Sequence, residues 1–261
     1  MLSQALRAPR PTLGQWLFRM YWWLEGRITP GLRSSQYVFA ERLADLLDQA
    51  DRPAWLDVGC GRRPFPDWMP DHAHRVVSAA GHPVGIDLDA GSLREHDAYR
   101  DKVLAPAEAL PFASGTFDVV SANMVVEHVP DPERMLAEIR RVLKSGGAFA
   151  FHTSNRFHWP VWLAARVPER LKLALTAYLE GRQAADVFPT HYQINDEARV
   201  RALAAAAGFQ VERLELLSTS AISVMLGPVV VLELLWIRRL RRTALAWLRS
   251  NLIVVLRKSD G

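Results

Sequence analysis

Cysteine is nearly absent: Cys60 is the single one among 261 residues. That excludes an intramolecular disulfide framework and a multi-cysteine zinc site. A large charge of one sign is also missing. The 32 basic and 28 acidic residues leave a formal +4. The basic residues are scattered or terminal and form no single stripe, so nucleic-acid binding is not indicated. Arg7 and Arg10 are not followed by an apolar run of signal-peptide type, and the expected location is the cytoplasm. There is no internal repeat and no low-complexity tract. What is present is 49% apolar and 23% charged residues, the balance of an ordinary globular protein, which excludes global disorder.

Three regions separate by composition. Residues 1–50 hold an aromatic stretch with Trp16, Phe18, Tyr21, Trp22 and Trp23, then a helix expected over 36–49; together they read as a helical extension or lid. Residues 51–217 alternate short apolar runs with helical patterns, the signature of a parallel sheet with crossover helices. Strands are expected over 54–58, 83–86, 102–104, 117–121 and 148–152. The clearest helix follows Asp131 and Pro132, with Met135, Leu136, Ile139, Val142 and Leu143 at helical spacing before Ser145-Gly146-Gly147. A second helix over 196–207 leads to strands over 209–216 and 251–256. Residues 51–261 form the main domain, with 218–250 an apolar and then basic helical insertion before the last strand.

A doubly wound sheet binds its ligand at the carboxyl ends of its strands. The first strand ends in Leu56-Asp57-Val58-Gly59-Cys60-Gly61, where glycines let the backbone pass close to a ligand. A nicotinamide fingerprint would place a third glycine three residues after Gly61. Arg63, Pro64 and Phe65 follow instead, which disfavours an oxidoreductase. The second strand ends in Gly85-Ile86-Asp87-Leu88-Asp89, and a carboxylate at that place can accept both hydroxyls of a ribose. Alone, this says only that a nucleoside fits.

Residues 55–155 resemble the class I S-adenosylmethionine-dependent methyltransferases of small-molecule type, near the ubiquinone-type O-methyltransferases. The resemblance rests on six motifs in order: the two strand ends above, Ala107-Glu108-Ala109-Leu110-Pro111-Phe112, Phe117-Asp118-Val119-Val120, Glu127-His128-Val129-Pro130-Asp131-Pro132 and Leu143-Lys144-Ser145-Gly146-Gly147. It implies a Rossmann-like sheet of seven strands with a late antiparallel pair, and S-adenosyl-L-methionine as cofactor. It implies that Asp57, Gly59, Cys60 and Gly61 line the methionine part and that Asp87 holds the ribose. Leu88, Ala107 and Glu108 would border the adenine, with Asn123 and Met124 beneath the cofactor. Pro106 departs from the family, which usually carries an aspartate there, and proline has no side-chain acceptor for an adenine amino group.

Methyl transfer needs alignment of nucleophile, methyl and sulfur, and orientation alone contributes about 7–11 kcal/mol. A hydroxyl acceptor, small or lipid-like, benefits from a general base, for which His128 is the first candidate; the alternative is that it only fixes its loop. His152, His191 and Tyr192 are expected on the substrate side. A catalytically degenerate adenosyl-binding protein, acting as a membrane-associated partner, is the competing reading. The 19 residues 219–237 hold one charge, Glu233, and precede Arg238, Arg239, Arg241 and Arg242. Because the flanking strands should be sheet neighbours, residues 222–242 are expected to return to the sheet without crossing a bilayer. They would form a lid, a homodimer contact or a peripheral contact on the inner membrane face.

Overall fold

The computed structural model describes residues 13–164, 166 and 189–259. The expected sheet is present. Its strands are β1 (Ala54–Val58), β2 (His82–Asp87), β3 (Asp101–Leu104), β4 (Phe117–Asn123), β5 (Leu143–Ser154), β6 (Phe209–Leu217) and β7 (Asn251–Lys258). They lie in the order β3-β2-β1-β4-β5-β7-β6. Strands β1 to β5 are parallel, and β7 runs antiparallel to both β5 and β6. The late strands thus pair as expected, with β7 inserted beside β5 and β6 at the edge. Strand order reverses between β1 and β4, so the carboxyl ends of these two strands open a crevice. β5 starts earlier than its apolar run, at Leu143, because the polar residues Lys144 to Gly147 continue as an irregular start of the strand.

Among the described residues the α-helices are α1 (Leu13–Ile28), α2 (Ser35–Leu47), α3 (Pro70–Ala79), α4 (Ala90–Glu95), α5 (Pro132–Val142), α6 (Trp159–Ala164), α7 (Glu197–Ala206) and α8 (Val229–Leu240). Helix α5 begins as its sequence dictates: the Asp131 side chain accepts the Arg134 N–H at 2.9 Å, and Pro132 opens the first turn. Its Met135, Leu136 and Ile139 are fully buried, each burial stabilising by about 1.5–3 kcal/mol.

Period-two alternation divides the strand residues between two cores. Leu56, Val58, Val120, Phe149, Phe151, Leu252 and Val254 meet α5 and α7 on one face. Trp55, Val119, Ala148, Ala150, Ile253 and Val255 meet α2 and α3 on the other. A third cluster ties α1 to the segment after β6: Tyr21 packs with Ala221, Val224, Val230, Leu234 and Ile237. That segment leaves the sheet after Leu217 and returns at Asn251, which pairs with Ser154 at the carboxyl end of β5. The α1–α8 layer is therefore rooted on the rim where the crevice opens. It turns at Gly227-Pro228, between a short 3-10 helix (Ser223–Leu226) and α8.

Candidate active site

The alternation that builds the second core also delivers a polar cluster. Asp57, Ser121, Asn123 and His152 continue the α2-facing rows of β1, β4 and β5 at their carboxyl ends. The Asp57 carboxylate accepts Ser121 Oγ at 2.7 Å and Tyr99 Oη at 3.0 Å, while Trp55 Nε1 donates to Ser121 Oγ at 2.9 Å. Burial pushes the Asp57 carboxyl up to about 7, against the lowering effect of those two donors. Tyr99 reaches Asp57 because Gly85 has no side chain. A Cβ there would stand 2.7 Å from Cys60 Sγ and 2.9 Å from the Tyr99 ring.

The turn after β1 is fixed from β2. Gly59 and Cys60 donate backbone N–H groups to the Ile86 carbonyl, at 2.8 and 3.0 Å. Gly59 has φ +67, and a Cβ on it would lie 2.3 Å from Val125 Cγ2, so only glycine fits this approach of the 58–61 turn to the residues after β4. The Asp87 carboxylate accepts Gly61 N–H on one oxygen and Asp89 N–H on the other, both at 2.8 Å. Each oxygen keeps a second lone pair, which is what two ribose hydroxyls require.

Around these groups lies a cleft of about 420 Å³. Val58, Gly59, Asp87, Leu88, Ala107, Glu108, Asn123, Met124, Val125 and His128 are among the residues lining it. Leu88 is 63% exposed and offers an apolar face to the cleft. The loop carrying Pro106, Ala107 and Glu108 is clamped by α5. Glu138 accepts Leu110 N–H at 2.8 Å, and Arg141 donates to the Leu110 and Phe112 carbonyls at 2.8 and 2.7 Å. A smaller cavity of about 250 Å³ adjoins the cleft, sharing Gly59, Asn123 and Met124 and adding Gln36, Asp57, Cys60 and Gly61. Met124, at φ +58, holds the strained backbone that closes β4, and its N–H donates to the His152 carbonyl at 2.8 Å.

The base candidate and the three substrate-side residues do not stay together. His128 lines the cleft; its Nδ1 stands 2.9 Å from the Pro189 carbonyl, and donating that proton makes Nε2 the basic nitrogen of the neutral ring. His191 and Tyr192 donate backbone N–H groups to the Glu127 carbonyl, at 2.7 and 3.2 Å, and line a separate cavity of about 760 Å³ with Arg156, Phe157, Trp162, Arg166 and Arg199. Segment 189–192 thus stands between that cavity and His128. His152 is placed differently from the sequence expectation. It is 1% exposed, bonded through Nδ1 to Asn123 Oδ1 at 2.9 Å and stacked on Phe39. The physical reason is its register on the α2-facing row, and burial pushes its imidazole down to about 3.

Several contributors escaped the sequence reading. Gln36, at the start of α2, accepts from Asn123 Nδ2 at 2.9 Å, and nothing local in the sequence marks it. Ser121 was legible in principle, since it sits opposite Asp57 in the β1–β4 register. Glu127 is buried, with Thr153 Oγ1 donating to it at 2.7 Å and Asn195 donating to Thr153 Oγ1 at 2.6 Å. This network ties the His128 turn to β5 and to the segment before α7. Among the described residues no helix is long and apolar enough to cross a membrane, and no His, Cys, Asp and Glu cluster is arranged to hold a metal ion.

Comparison with known proteins agrees with this fold. Residues 32–214 match the family model described as a methyltransferase domain. An uncharacterized methyltransferase of Mycolicibacterium gilvum is 32% identical over 136 residues, half of this chain and 48% of that protein. The ubiquinone biosynthesis O-methyltransferase of Methylococcus capsulatus is 35% identical over 109 residues, covering 39% of this chain and 43% of that protein. The chain thus spans about half the length of the relatives it matches. The structure of an S-adenosylmethionine-dependent methyltransferase from Mesorhizobium loti shares the fold with a TM-score of 0.53 at 19% identity, covering 83% of this chain and 96% of that one.

Proposed function

The chain belongs to the methyltransferase-domain family, and we propose that it transfers a methyl group from S-adenosyl-L-methionine to a small-molecule or lipid-like acceptor, at oxygen. The observation that carries this reading is the Asp87 carboxylate, held by two backbone N–H groups at the edge of a cleft of about 420 Å³. The residues present fit the cofactor: a strand-end carboxylate for the ribose, a glycine turn no Cβ could enter, and apolar Leu88 and Ala107 beside the half-buried Glu108 for the adenine. The bound cofactor supplies an electrophilic methyl on a sulfonium.

The chain's own work is then orientation and proton management. Asp57, Gln36 and Asn123 line the adjoining cavity on the side expected for the amino-acid part, where an ammonium would favour the ionised form of the Asp57 carboxyl. His128 Nε2 is the group placed to take the acceptor's proton, the Pro189 carbonyl fixing the ring's tautomer. The arginine- and aromatic-lined cavity beyond segment 189–192 is the acceptor side in this proposal. In this proposal the protein is cytoplasmic, and α1 and α2, in the described part of residues 1–50, are a helical extension. Calorimetry with S-adenosylmethionine and its demethylated product tests the cofactor, and incubation with labelled cofactor and fractionated cell extract tests the acceptor. Absence of binding for both compounds would overturn the proposal.

A further inference from the structure

Helix α1 and segment 222–242 share a buried seam, and their polarity is inverted relative to an ordinary surface helix. Each contains one acidic residue, Glu25 in the first and Glu233 in the second, and both are turned inward, 8% and 7% exposed. Glu25 receives the Tyr21 hydroxyl. Glu233 receives the backbone N–H groups of Ile222 and Ser223, at 3.2 and 2.9 Å. The outward faces keep six exposed arginines, Arg19, Arg27, Arg238, Arg239, Arg241 and Arg242, with no carboxylate among them. Between the arginines stand bare apolar side chains. Trp16, Trp22 and Trp23 are more than half exposed on α1, and Met225, Leu226 and Leu232 on the second segment, Leu232 at 68%. Six large apolar side chains more than half exposed within one layer exceed what singly scattered surface residues account for.

We propose that the outward faces of α1 and 222–242 form one docking surface for an anionic lipid bilayer, lying in its interface. Three observations select this occupant. Tryptophan with arginine is the composition of side chains at the headgroup level, where rings meet acyl chains and guanidinium groups meet phosphates. Helix α8 has 12 residues, about 18 Å of helix, well short of a hydrocarbon core of about 30 Å. Finally, a second copy facing this surface would set six arginines against six with no acid between them, and such like-charge contact costs several kcal/mol. A negatively charged bilayer meets the same surface with complementary sign. Because the layer is rooted on the rim that carries the cleft, docking would bring that rim to the bilayer.

The proposal stands apart from the methyl-transfer reading, since its test reads binding alone. The full chain is floated with vesicles of phosphatidylcholine and with vesicles that also contain phosphatidylglycerol, at low and high salt. Binding to the anionic vesicles only, weakened by salt, is the expected result. The pair Arg238→Gln and Arg239→Gln should weaken it about 30-fold, the equivalent of about 1 kcal/mol per arginine. The pair Trp22→Ser and Trp23→Ser should weaken it on both sides of the salt series. Both double variants alter exposed side chains, and an unchanged thermal melt confirms that each is folded. Equal binding to neutral vesicles, or binding indifferent to the arginine pair, overturns the proposal. So does a salt-stable dimer in sedimentation with no vesicle binding, which would assign the surface to a second copy. Failure to bind any vesicle as a monomer overturns it as well.

Discussion

The rim of the sheet and the α1–α8 layer dispose of their carboxylates in opposite ways. At the rim, Asp87 and Glu108 face a cleft, while Asp57 beside it is already buried and taken up by Ser121 and Tyr99, as the acids of the layer are. In the layer, Glu25 and Glu233 turn inward while tryptophan, leucine and arginine face out. Acceptors aimed at an open volume are competent to hold a ligand that brings donors. Acceptors consumed by hydrogen bonds within the layer serve the fold, and function then falls to what is left outside. The contrast shows that hydrogen-bond destination, more than residue type, separates the two kinds of acid.

The largest effect is expected at His128, the base in the proposed reaction. His128→Gln should lower turnover by about 10²–10⁴-fold while cofactor affinity stays nearly constant. The check is a split between steady-state kinetics and calorimetry, and near-normal turnover would reduce His128 to a loop contact through Pro189. Asp57 comes next, and its effect is on stability. Its carboxyl is raised from 3.8 to about 7, so the folded state favours the neutral form. A raised folded value contributes stability that is fully present below about pH 4 and is lost as pH rises through about 7. The amount is about 4 kcal/mol, at 1.36 kcal/mol for each pH unit of that window. In urea unfolding, the ligand-free protein should therefore lose stability relative to Asp57→Asn as pH rises across this range. The difference between the two proteins is read because the buried His152 imidazole, held low, tilts both profiles the opposite way. Parallel pH profiles for the two proteins would show that Asp57 is ionised throughout.

The sheet was legible because its strands announce themselves by short apolar runs with glycine and aspartate at their ends. The residues 54–58, 83–86 and 117–121 needed no tertiary information. The site was legible where its chemistry is local: Gly59, Asp87, Ala107, Glu108 and His128 line one cleft. It was illegible where register decides. His152 looks like a substrate-side base in sequence, yet one strand position places it on the row of Ala148 and Ala150, against Phe39. Gln36 lies 87 positions before Asn123 and joins the site only because α2 packs across the sheet. Tyr99 and Ser121 are ordinary residues in the sequence, and only β1–β4 pairing and the gap at Gly85 make them the partners of Asp57.

A smaller effect is expected at Asp87, where the rim acid is aimed at the ligand. Asp87→Ala should weaken binding of the demethylated cofactor product by about 10- to 150-fold, the equivalent of roughly 1.5–3 kcal/mol for lost charge-assisted bonds. Calorimetry reads it directly. A melt on the same sample separates ligand loss from slackening of the 58–61 turn, because Asp87 also anchors Gly61 N–H. Unchanged affinity would remove the ribose assignment and make Asp87 an acid of the inward kind.

The smallest effect tests that inward kind at Glu233. One of its oxygens accepts Ile222 N–H, and the other accepts both the N–H and the hydroxyl of Ser223, so the side chain caps the 3-10 turn that opens the segment. Glu233→Gln keeps one oxygen for these donors and turns an amide N–H₂ toward the remainder. One acceptor is lost and the others are no longer charge-assisted, while the cost of burying a charge is relieved. The two changes oppose each other, and the net destabilisation should be about 1 kcal/mol in urea unfolding, with cofactor binding unaltered. Hydrogen exchange should quicken at Ile222 and Ser223 first, since their donors lose the most. A gain in stability would mean that burying the carboxylate costs more than its caps return. Glu233 would then be retained for something other than the fold, and the contrast between rim and layer would fail at this residue.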